Sequence, residues 1–271
     1  MEAFGGLATL QVMMEELTTS GAGEISAEPS PAGPVGLKPV AAVWHTVILL
    51  VVVIGFSALQ GVQSLSHAAV TVNRLQTYVA TLVYEVLLLG YVWLLGLMLR
   101  KVPLRELIGG RWANAKDFFL DVGIALLFWL TVAGMLVFAH SELGFSGVDA
   151  AKSMFPQTAF EMAVFIVLAV FAGFCEEIVF RGYFQRQFTA WTGNVGAGVV
   201  LQAIVFGSAH IYQGWKGVLV ITVYGAMFGA LAALCKSLRP GIIQHCTQDG
   251  FSGFAVWYAQ KHHLLTMIMR F

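Results

Sequence analysis

Long apolar stretches separated by short polar turns organise the chain. A helix needs about 20 mostly apolar residues to span a bilayer. Stretches of this kind predict membrane helices at 40–59, 78–99, 118–139, 159–176, within 195–212 and at 218–235. A seventh stretch, 242–258, is short and is interrupted by His245, Gln248 and Asp249. The pattern predicts an all-α fold, a polytopic transmembrane helical bundle with six to eight membrane helices.

Composition narrows the function classes further. Of the 271 residues 58% are apolar and only 11% are charged, whereas an average protein has about 25% charged residues. The 15 bases and 15 acids leave no positive surplus to neutralise a phosphate backbone, so no nucleic-acid partner is expected. The three cysteines, Cys175, Cys235 and Cys246, form no CxxC pattern, and their odd number indicates packing residues rather than a disulfide framework.

The chain divides into three predicted regions. Residues 1–39 carry five acids and one base, and 20–39 are rich in Gly, Ala, Pro and Ser, which predicts a flexible N-terminal tail. This tail lacks the basic start and early apolar run of a secretory signal. Residues 40–158 are predicted to form N-terminal transmembrane helices, and 159–271 the functional core.

The distribution of basic residues predicts the orientation. Arg100, Lys101, Arg105, Arg111 and Lys116 share the loop between the second and third predicted helices. The positive-inside rule places this loop, and with it the N-terminus, in the cytosol. Ten bases then lie inside and five outside, the outer ones being Arg74, Lys152, Lys216, Lys261 and Arg270. We therefore expect a multi-pass integral protein of the cell (plasma) membrane, with the lipid bilayer as its surroundings.

Ionisable residues inside a bilayer cost about 2.5–3.5 kcal/mol each and are functional candidates by default. His45, Glu161 and Asp121 lie near segment ends, where side chains can reach the interface, and Lys116 is within reach of Asp121 by spacing. We interpret these three as structural. Glu85 differs because it lies near the middle of the second predicted helix. It requires a partner or a water-filled cavity.

The concentrated signal is an acid pair followed by a base, Glu176-Glu177-Ile178-Val179-Phe180-Arg181. Glu177 and Arg181 are four residues apart with the acid first, the favourable order for an ion pair on a helix. Glu176 is left without a local counter-charge, which suits a general base or acid. The alternative interpretation of the same six residues is a structural ion pair between Glu177 and Arg181, with Glu176 as a further acid that has no catalytic role.

Two histidines on other apolar helices favour the catalytic interpretation. Equal arms of 15 residues run from Glu176 to Trp191 and from Val195 to His210, so an antiparallel hairpin would bring His210 level with the acid pair. His245 and Asp249 are four residues apart, so the acid can orient the ring. Lys216 follows His210 by only six residues, yet the predicted topology places Lys216 on the outer side of the membrane and the site near the inner side. Helix tilt, a protruding hairpin or a re-entrant turn would reconcile these two positions.

In this order, E-E-x-x-x-R, F-x-x-x-H and H-x-x-x-[ND] resemble the motifs of the CAAX-protease and bacteriocin-processing superfamily of intramembrane proteases. The resemblance covers roughly 161–258. It implies a catalytic core of membrane-embedded helices that opens toward the cytosol. It also implies endopeptidase activity, with membrane-tethered proteins or peptides as substrates.

The resemblance also implies roles for six residues. Glu176 would activate water together with His210. Glu177 and Arg181 would complete and brace the first motif. His245 and Asp249 would stabilise the oxyanion. The family often has Asn at the last position, and an ionised Asp249 cannot donate a hydrogen bond, so His245 is the expected donor.

No cofactor is expected, and a metal-free glutamate mechanism is preferred. The alternative is a zinc ion held by Glu176, His210 and His245, since a His₂Glu set leaves a fourth position for water. The absence of HExxH and the spread of these residues over three helices favour the metal-free mechanism.

Three rival functions share these sequence features. The first is a non-catalytic scaffold or bacteriocin self-immunity protein of the same fold, in which Glu176 and His210 would tolerate replacement. The second is a proton-coupled transporter with the carboxylates as a relay. The third is a cysteine protease that uses Cys175 or Cys246, although neither thiol has an evident thiolate-stabilising neighbour.

Overall fold

The computed structural model describes residues 38–65, 73–147, 151 and 154–262. Every regular element within these ranges is helical, which confirms the predicted class. The helices are α1 (Val43–Leu65), α2 (Arg74–Gly90), α3 (Leu104–Ile108), α4 (Ala115–Leu143), α5 (Ala159–Glu176), α6 (Arg186–Thr192), α7 (Val195–Ser208), α8 (Gly214–Cys235) and α9 (Arg239–Lys261). The predicted tail falls outside the described residues, apart from Lys38 and Pro39.

Three segments depart from α-helical hydrogen bonding. Tyr91–Leu97 extends α2 with wider π-helical turns, and Glu177–Gln185 joins α5 to α6 in the same way. A short 3₁₀ turn, Ile211–Gln213, precedes α8. Single π-helical turns occur frequently at functional sites. The second π segment begins at Glu177, within the acid pair.

Five helical stretches are long and apolar enough to cross a membrane, judged by length and composition. They are Val43–Val62, Arg74–Leu97, Ala115–Leu143, Ala159–Thr192 and Ile211–Cys235. Helix α7 is apolar but has only 14 residues. It ends at Ser208, inside the expected range 195–212, because His210 leads into the 3₁₀ turn. The predicted polytopic transmembrane bundle is confirmed, with five long apolar stretches among the described residues against the six to eight membrane helices expected.

Basic segments that are distant in sequence meet at one end of the bundle. Ser237 Oγ donates to the carbonyl of Ile108 at 3.0 Å, which holds the α8–α9 turn against α3. The Arg239 guanidinium lies 2.8 Å from the Asp121 carboxylate of α4. Arg186 of α6 donates to a carbonyl of α3 at 3.4 Å. Arg105, Arg186 and Arg239, three of the bases that the sequence assigns to one side, therefore lie in or near α3; we call this the basic end.

Lys216 lies at the opposite end. Its Nζ is 3.7 Å from the position that a Cβ on Gly144 would occupy. Gly144 caps the far end of α4, whose 29 residues extend about 43 Å from the basic end. The stretch Ala159–Thr192 has 34 residues and is about 51 Å long, against a hydrocarbon core of about 30 Å. This excess favours the protruding hairpin among the three expected explanations for Lys216.

The three polar residues interpreted as structural have structural contacts. Glu161 completes a capping box with Thr158 at the start of α5. Asp121 pairs with Arg239 and accepts from Trp112 Nε1 at 2.7 Å, rather than pairing with Lys116. The expectation that His45 reaches the interface is wrong. Its ring is buried, and Nδ1 hydrogen-bonds the Tyr183 hydroxyl at 2.6 Å.

Small residues allow α7 and α8 to pack closely. The spacing of Gly225 and Gly229 predicts internal packing rather than dimerisation. A Cβ on Gly225 would lie 3.3 Å from Ala203 Cα, and one on Gly229 would lie 3.1 Å from a Val199 methyl. The internal packing is confirmed, and it brings the carbonyl of Gly225 toward Arg181 of the π segment.

Candidate active site

A buried ion pair forms the base of the candidate site. Glu177 and Arg181 lie one turn apart, and Glu177 Oε1 is 3.0 Å from Arg181 Nη1. Both side chains are almost fully buried. The same Glu177 oxygen accepts from His245 Nδ1 at 3.0 Å. Because a carboxylate can only accept, Nδ1 carries the proton, and His245 directs Nε2 away from Glu177.

Two further carboxyl groups approach the free face of His245. Its Nε2 lies 3.7 Å from Glu176 Oε2 and 3.8 Å from Asp249 Oδ2. These distances exceed a direct hydrogen bond and are those of groups that a small molecule or water can bridge. The Glu176 side chain is 18% exposed and that of Asp249 39%. The site therefore has a buried base and a more open rim.

His210 occupies a separate position beside this cluster. Its Nδ1 donates to the carbonyl of Phe206 at 2.9 Å, which leaves Nε2 as a free acceptor. The Phe206 ring centroid is 4.9 Å from the His210 ring and 6.4 Å from the His245 ring. Among the described residues, neither an ion pair nor a hydrogen bond joins His210 to Glu176. The structure thus brings five of the six predicted residues into one cluster with separations of 3.0 to 3.8 Å, and His210 adjoins this cluster through Phe206.

Aromatic rings surround Arg181 in a way that the sequence does not reveal. The guanidinium carbon lies 4.3 Å from the Phe206 centroid and 4.9 Å from the Phe228 centroid. Cation–π contacts of this kind are worth more when desolvated. Arg181 Nη2 also donates to the Gly225 carbonyl at 3.3 Å. Phe228 was missed because single aromatic residues in an apolar helix carry no motif.

The position of His245 along α9 gives the depth of the candidate site within the bundle. His245 comes six residues after Arg239, the first residue of α9, and so lies about 9 Å along the helix from the basic end. Its ring is within 4 Å of both acids of the pair. His245 and the acid pair that it contacts therefore lie toward the basic end, whereas His210 is only six residues before Lys216.

The described residues do not form a three-ligand metal site. No group of three or more His, Cys, Asp or Glu side chains in that part of the chain is arranged to hold a metal ion. Within the proposed zinc set, His245 turns Nδ1 toward Glu177, and His210 contacts Phe206 instead of Glu176. Both contacts leave Nε2 open, as in a histidine that binds a metal ion, so the spacing of the three residues, and not the ring orientations, counts against a zinc ion.

The cysteines beside the motifs act as packing groups. Cys175 is buried, and Cys246 donates its thiol to the Val170 carbonyl at 3.2 Å. A thiol that donates retains its proton and is not a nucleophilic thiolate. These contacts favour packing over a cysteine protease.

Helices α5 and α9 cross closely at Gly173. A Cβ at this residue would lie 2.9 Å from the Cys246 amide nitrogen and 3.1 Å from its Cα. Backbone atoms cannot rotate away, so the helices must separate to admit even one methyl group. Gly173 therefore fixes the distance at which α9 presents His245 to the acid pair.

We expect Gly173→Ala to lower both stability and any activity that depends on this site. Overpacking costs about 1–3 kcal/mol, and displacing His245 by about 1 Å costs on the order of 10²-fold in rate. Thermal unfolding in detergent and the cleavage rate would measure the two effects. Gly134→Ala on α4 is the matched control, because no atom lies within 4 Å of a Cβ there. Equal behaviour of the two variants would contradict the role of Gly173.

Residues 158–251 match the model of a protein family described as type II CAAX prenyl endopeptidase Rce1-like. The match includes all six predicted site residues and confirms the superfamily resemblance drawn from the motifs. Comparison with curated proteins and with solved structures gave no match.

Proposed function

Because residues 158–251 match the type II CAAX prenyl endopeptidase Rce1-like family, we propose that the protein is an intramembrane endopeptidase of membrane-tethered substrates. The single observation that carries this proposal is the free face of His245. Its Nε2 lies between 3.7 and 3.8 Å from both Glu176 and Asp249. An imidazole and a carboxyl group at that spacing can contact the same water molecule, which pairs a general base with a donor to the developing oxyanion.

Glu176 is the proposed general base. Its carboxylate accepts a proton from water while the water oxygen bonds to the carbonyl carbon of the substrate. The carbonyl π electrons move to oxygen and form the oxyanion. The proton then passes from Glu176 to the amide nitrogen, the C–N bond breaks, and a carboxylic acid and an amine leave. His210 Nε2, as a free acceptor, is proposed to orient the attacking water.

His245 is the proposed donor to the oxyanion. Glu177 holds one ring nitrogen at 3.0 Å, and the two other carboxyl groups lie near the second. Negative neighbours on both sides favour the imidazolium, whose Nε2–H can donate to developing charge. Asp249 orients the ring and does not itself donate when ionised. The buried ion pair of Glu177 and Arg181 fixes the orientation of the His245 ring through the Glu177–Nδ1 hydrogen bond.

We propose that the reaction runs without a metal ion. The proposal is supported by the spacing of the side chains, because no three His, Cys, Asp or Glu residues within the described part of the chain are arranged to hold a metal ion. It requires that all proton transfers pass through side chains of this chain. Resistance to zinc chelation is the corresponding observable property.

Substrates are proposed to enter from the cytosolic side of the plasma membrane. Support comes from the basic end, where Arg186 and Arg239 contact α3 and α4, because positive residues concentrate in the cytosol. A cytosolic N-terminus follows from the same orientation. Membrane-tethered peptides are suitable substrates because tethering places their scissile bonds at shallow depth.

Purified protein in lipid nanodiscs, tested on a panel of lipidated and transmembrane peptides, provides the test. We expect wild-type protein to cleave at least one peptide, and a zinc chelator to leave the rate unchanged. Protein with Glu176→Gln, purified in parallel, controls for contaminating proteases. Loss of activity on chelation with recovery on adding zinc would contradict the metal-free mechanism. Cleavage that is equal in the variant would contradict the proposed role of Glu176.

A further inference from the structure

Buried polar side chains continue from the candidate site into the middle of the bundle. They begin at the ion pair of Glu177 and Arg181 and include two glutamines. These are Gln202 of α7 and Gln185, the last residue of the π segment. We propose that the two glutamines hold ordered water between the helices and that this water positions the ion pair. The water site goes beyond the proposed function, and only its effect on the cleavage rate rests on that function.

Main-chain carbonyls of α8 connect these side chains. Arg181 Nη2 and Gln202 Nε2 donate to the same oxygen, the Gly225 carbonyl, at 3.3 and 2.8 Å. Gln185 Nε2 donates to the Gly229 carbonyl at 2.9 Å. A Cβ on Gly229 would lie 2.6 Å from Gln202 Nε2 and 2.8 Å from Gln185 Oε1. The lack of a side chain at Gly229 therefore lets both amides pack at one point of α8.

Each of the four side chains leaves a polar atom without a hydrogen-bond partner among the described residues. The unpaired atoms are Glu177 Oε2, Arg181 Nε, Gln202 Oε1 and Gln185 Oε1. All four side chains are buried. Because an unpaired polar atom in such a location is costly, native proteins nearly always satisfy it. These atoms therefore require partners that the neighbouring side chains do not supply.

The chemistry of the unpaired atoms identifies water as the partner. Three of them accept hydrogen bonds, and only Arg181 Nε donates. Pairing them with one another would satisfy one acceptor and leave two. Turning the Gln202 amide over would not help, since its oxygen would then face the carbonyls of Val199 and Gly225. A buried water molecule makes about three hydrogen bonds, as donor and as acceptor, and so can serve both kinds of atom.

Water at this position would act on the ion pair through the guanidinium. Arg181 directs Nη1 toward Glu177 and Nη2 toward the Gly225 carbonyl, so Nε is its remaining donor. A water molecule that joins Nε to a glutamine oxygen fixes the guanidinium on a third side. Glu177 in turn orients the His245 ring. The glutamines are thus positioning residues, which act on His245 through the ion pair.

Gln187 is a matched control within the same molecule. Gln187 and Gln202 are both 0% exposed, but the Gln187 amide accepts from the Ala41 nitrogen and donates to the Ala41 carbonyl, at 3.1 and 3.0 Å. Solid-state NMR of wild-type protein in lipid bilayers can measure magnetisation transfer from water protons to each side chain. We expect transfer to the Gln202 amide and to Arg181 Nε, and none to the Gln187 amide. Equal transfer to the two amides, or none to Gln202, would overturn the water site.

Gln202→Met tests the effect on the ion pair, because methionine has a similar volume and no amide. We expect kcat to fall about tenfold with KM little changed, less than the loss for a full 1 Å displacement of a catalytic group. Gln202→Asn, which restores an amide, should recover most of the lost rate. Gln187→Met also removes a buried amide and lowers stability, but should leave kcat per folded molecule unchanged. A kcat of Gln202→Met equal to that of wild type would contradict the positioning role.

The two measurements also separate this proposal from the protease proposal. The NMR comparison uses wild-type protein, so it remains decisive if Gln202→Met does not fold. It also requires no cleavage. Failure of the protease proposal would instead appear as undiminished cleavage by Glu176→Gln, with the transfer from water to Gln202 unaffected.

Discussion

Glu176→Gln is expected to leave the protein folded and to slow peptide cleavage about 10³-fold, within the range for removal of a general base. The amide has nearly the volume of the carboxylate but cannot accept a proton from water. The fold should tolerate the change because the nearest charged partner of Glu176, His245 Nε2, is 3.7 Å away and forms no direct hydrogen bond. The buried ion pair beneath it stays intact.

Single-turnover cleavage rates and detergent melting curves would measure both parts of this expectation. Glu161→Gln is the matched control, since it removes a carboxyl group from the same helix. Glutamine at that position still suits a capping box. A Glu176→Gln protein that melts like wild type and cleaves within about threefold of it would be incompatible with a general base at Glu176.

Arg181→Met is expected to destabilise the protein by about 3–5 kcal/mol, the usual consequence of leaving a buried partner charge unpaired. Glu177 would retain only His245 as a side-chain partner, in a location from which bulk water is excluded. The variant also loses the contacts of the guanidinium with the Phe206 and Phe228 rings. Lysine should not restore stability, because it lacks the planar group that lies against the rings.

The double variant Glu177→Gln/Arg181→Met separates the charge effect from the packing effect. Glutamine keeps an acceptor for His245 Nδ1 and carries no charge to be left unpaired. We expect the double variant to be more stable than Arg181→Met alone, as judged by denaturant unfolding or by thermal unfolding in detergent. If the second substitution lowers stability further, the unpaired charge of Glu177 is not the cause of the first loss.

The sequence predicted the site well where chemistry and spacing coincide. Glu177 and Arg181 are one turn apart in any helix, so their pairing follows from the spacing alone. His245 and Asp249 share a helix face for the same reason. Their approach to Glu177 depends on Gly173 and Cys246, where two helices cross at backbone contact. Nothing local in the sequence specifies that crossing.

The sequence identifies polar residues that need a partner, but it does not predict which residues of other helices surround them. The sequence identifies Glu85 as a charge that needs a partner or a cavity, yet only the packed structure reveals that it is buried and that its Oε2 has no hydrogen-bond partner among the described residues. His45 was expected at the interface because it begins an apolar run, whereas Tyr183 draws it inward. Equal arm lengths predicted the height of His210 but contained no information on the Phe206 ring beside it.

Helix boundaries show the same limit. The residue types between α5 and α6 do not mark the change to wider π-helical hydrogen bonds at Glu177–Gln185. Within that segment Gly182 packs against Leu107 and Leu238, which are distant in sequence. The five spans with strong hydropathy were predictable from residue type. Helix α7, which is shorter, ends where a 3₁₀ turn begins rather than where apolar residues end.

The contact between Gln187 and the chain just before α1 has an evolutionary consequence. The Gln187 side-chain amide accepts from the Ala41 nitrogen at 3.1 Å and donates to the Ala41 carbonyl at 3.0 Å. Both bonds reach main-chain atoms, so they persist whatever side chain occupies position 41. Ala41 is 2% exposed, so drift at this position is limited by volume and not by polarity. Related sequences should therefore vary there among Gly, Ala and Ser while keeping an amide at position 187.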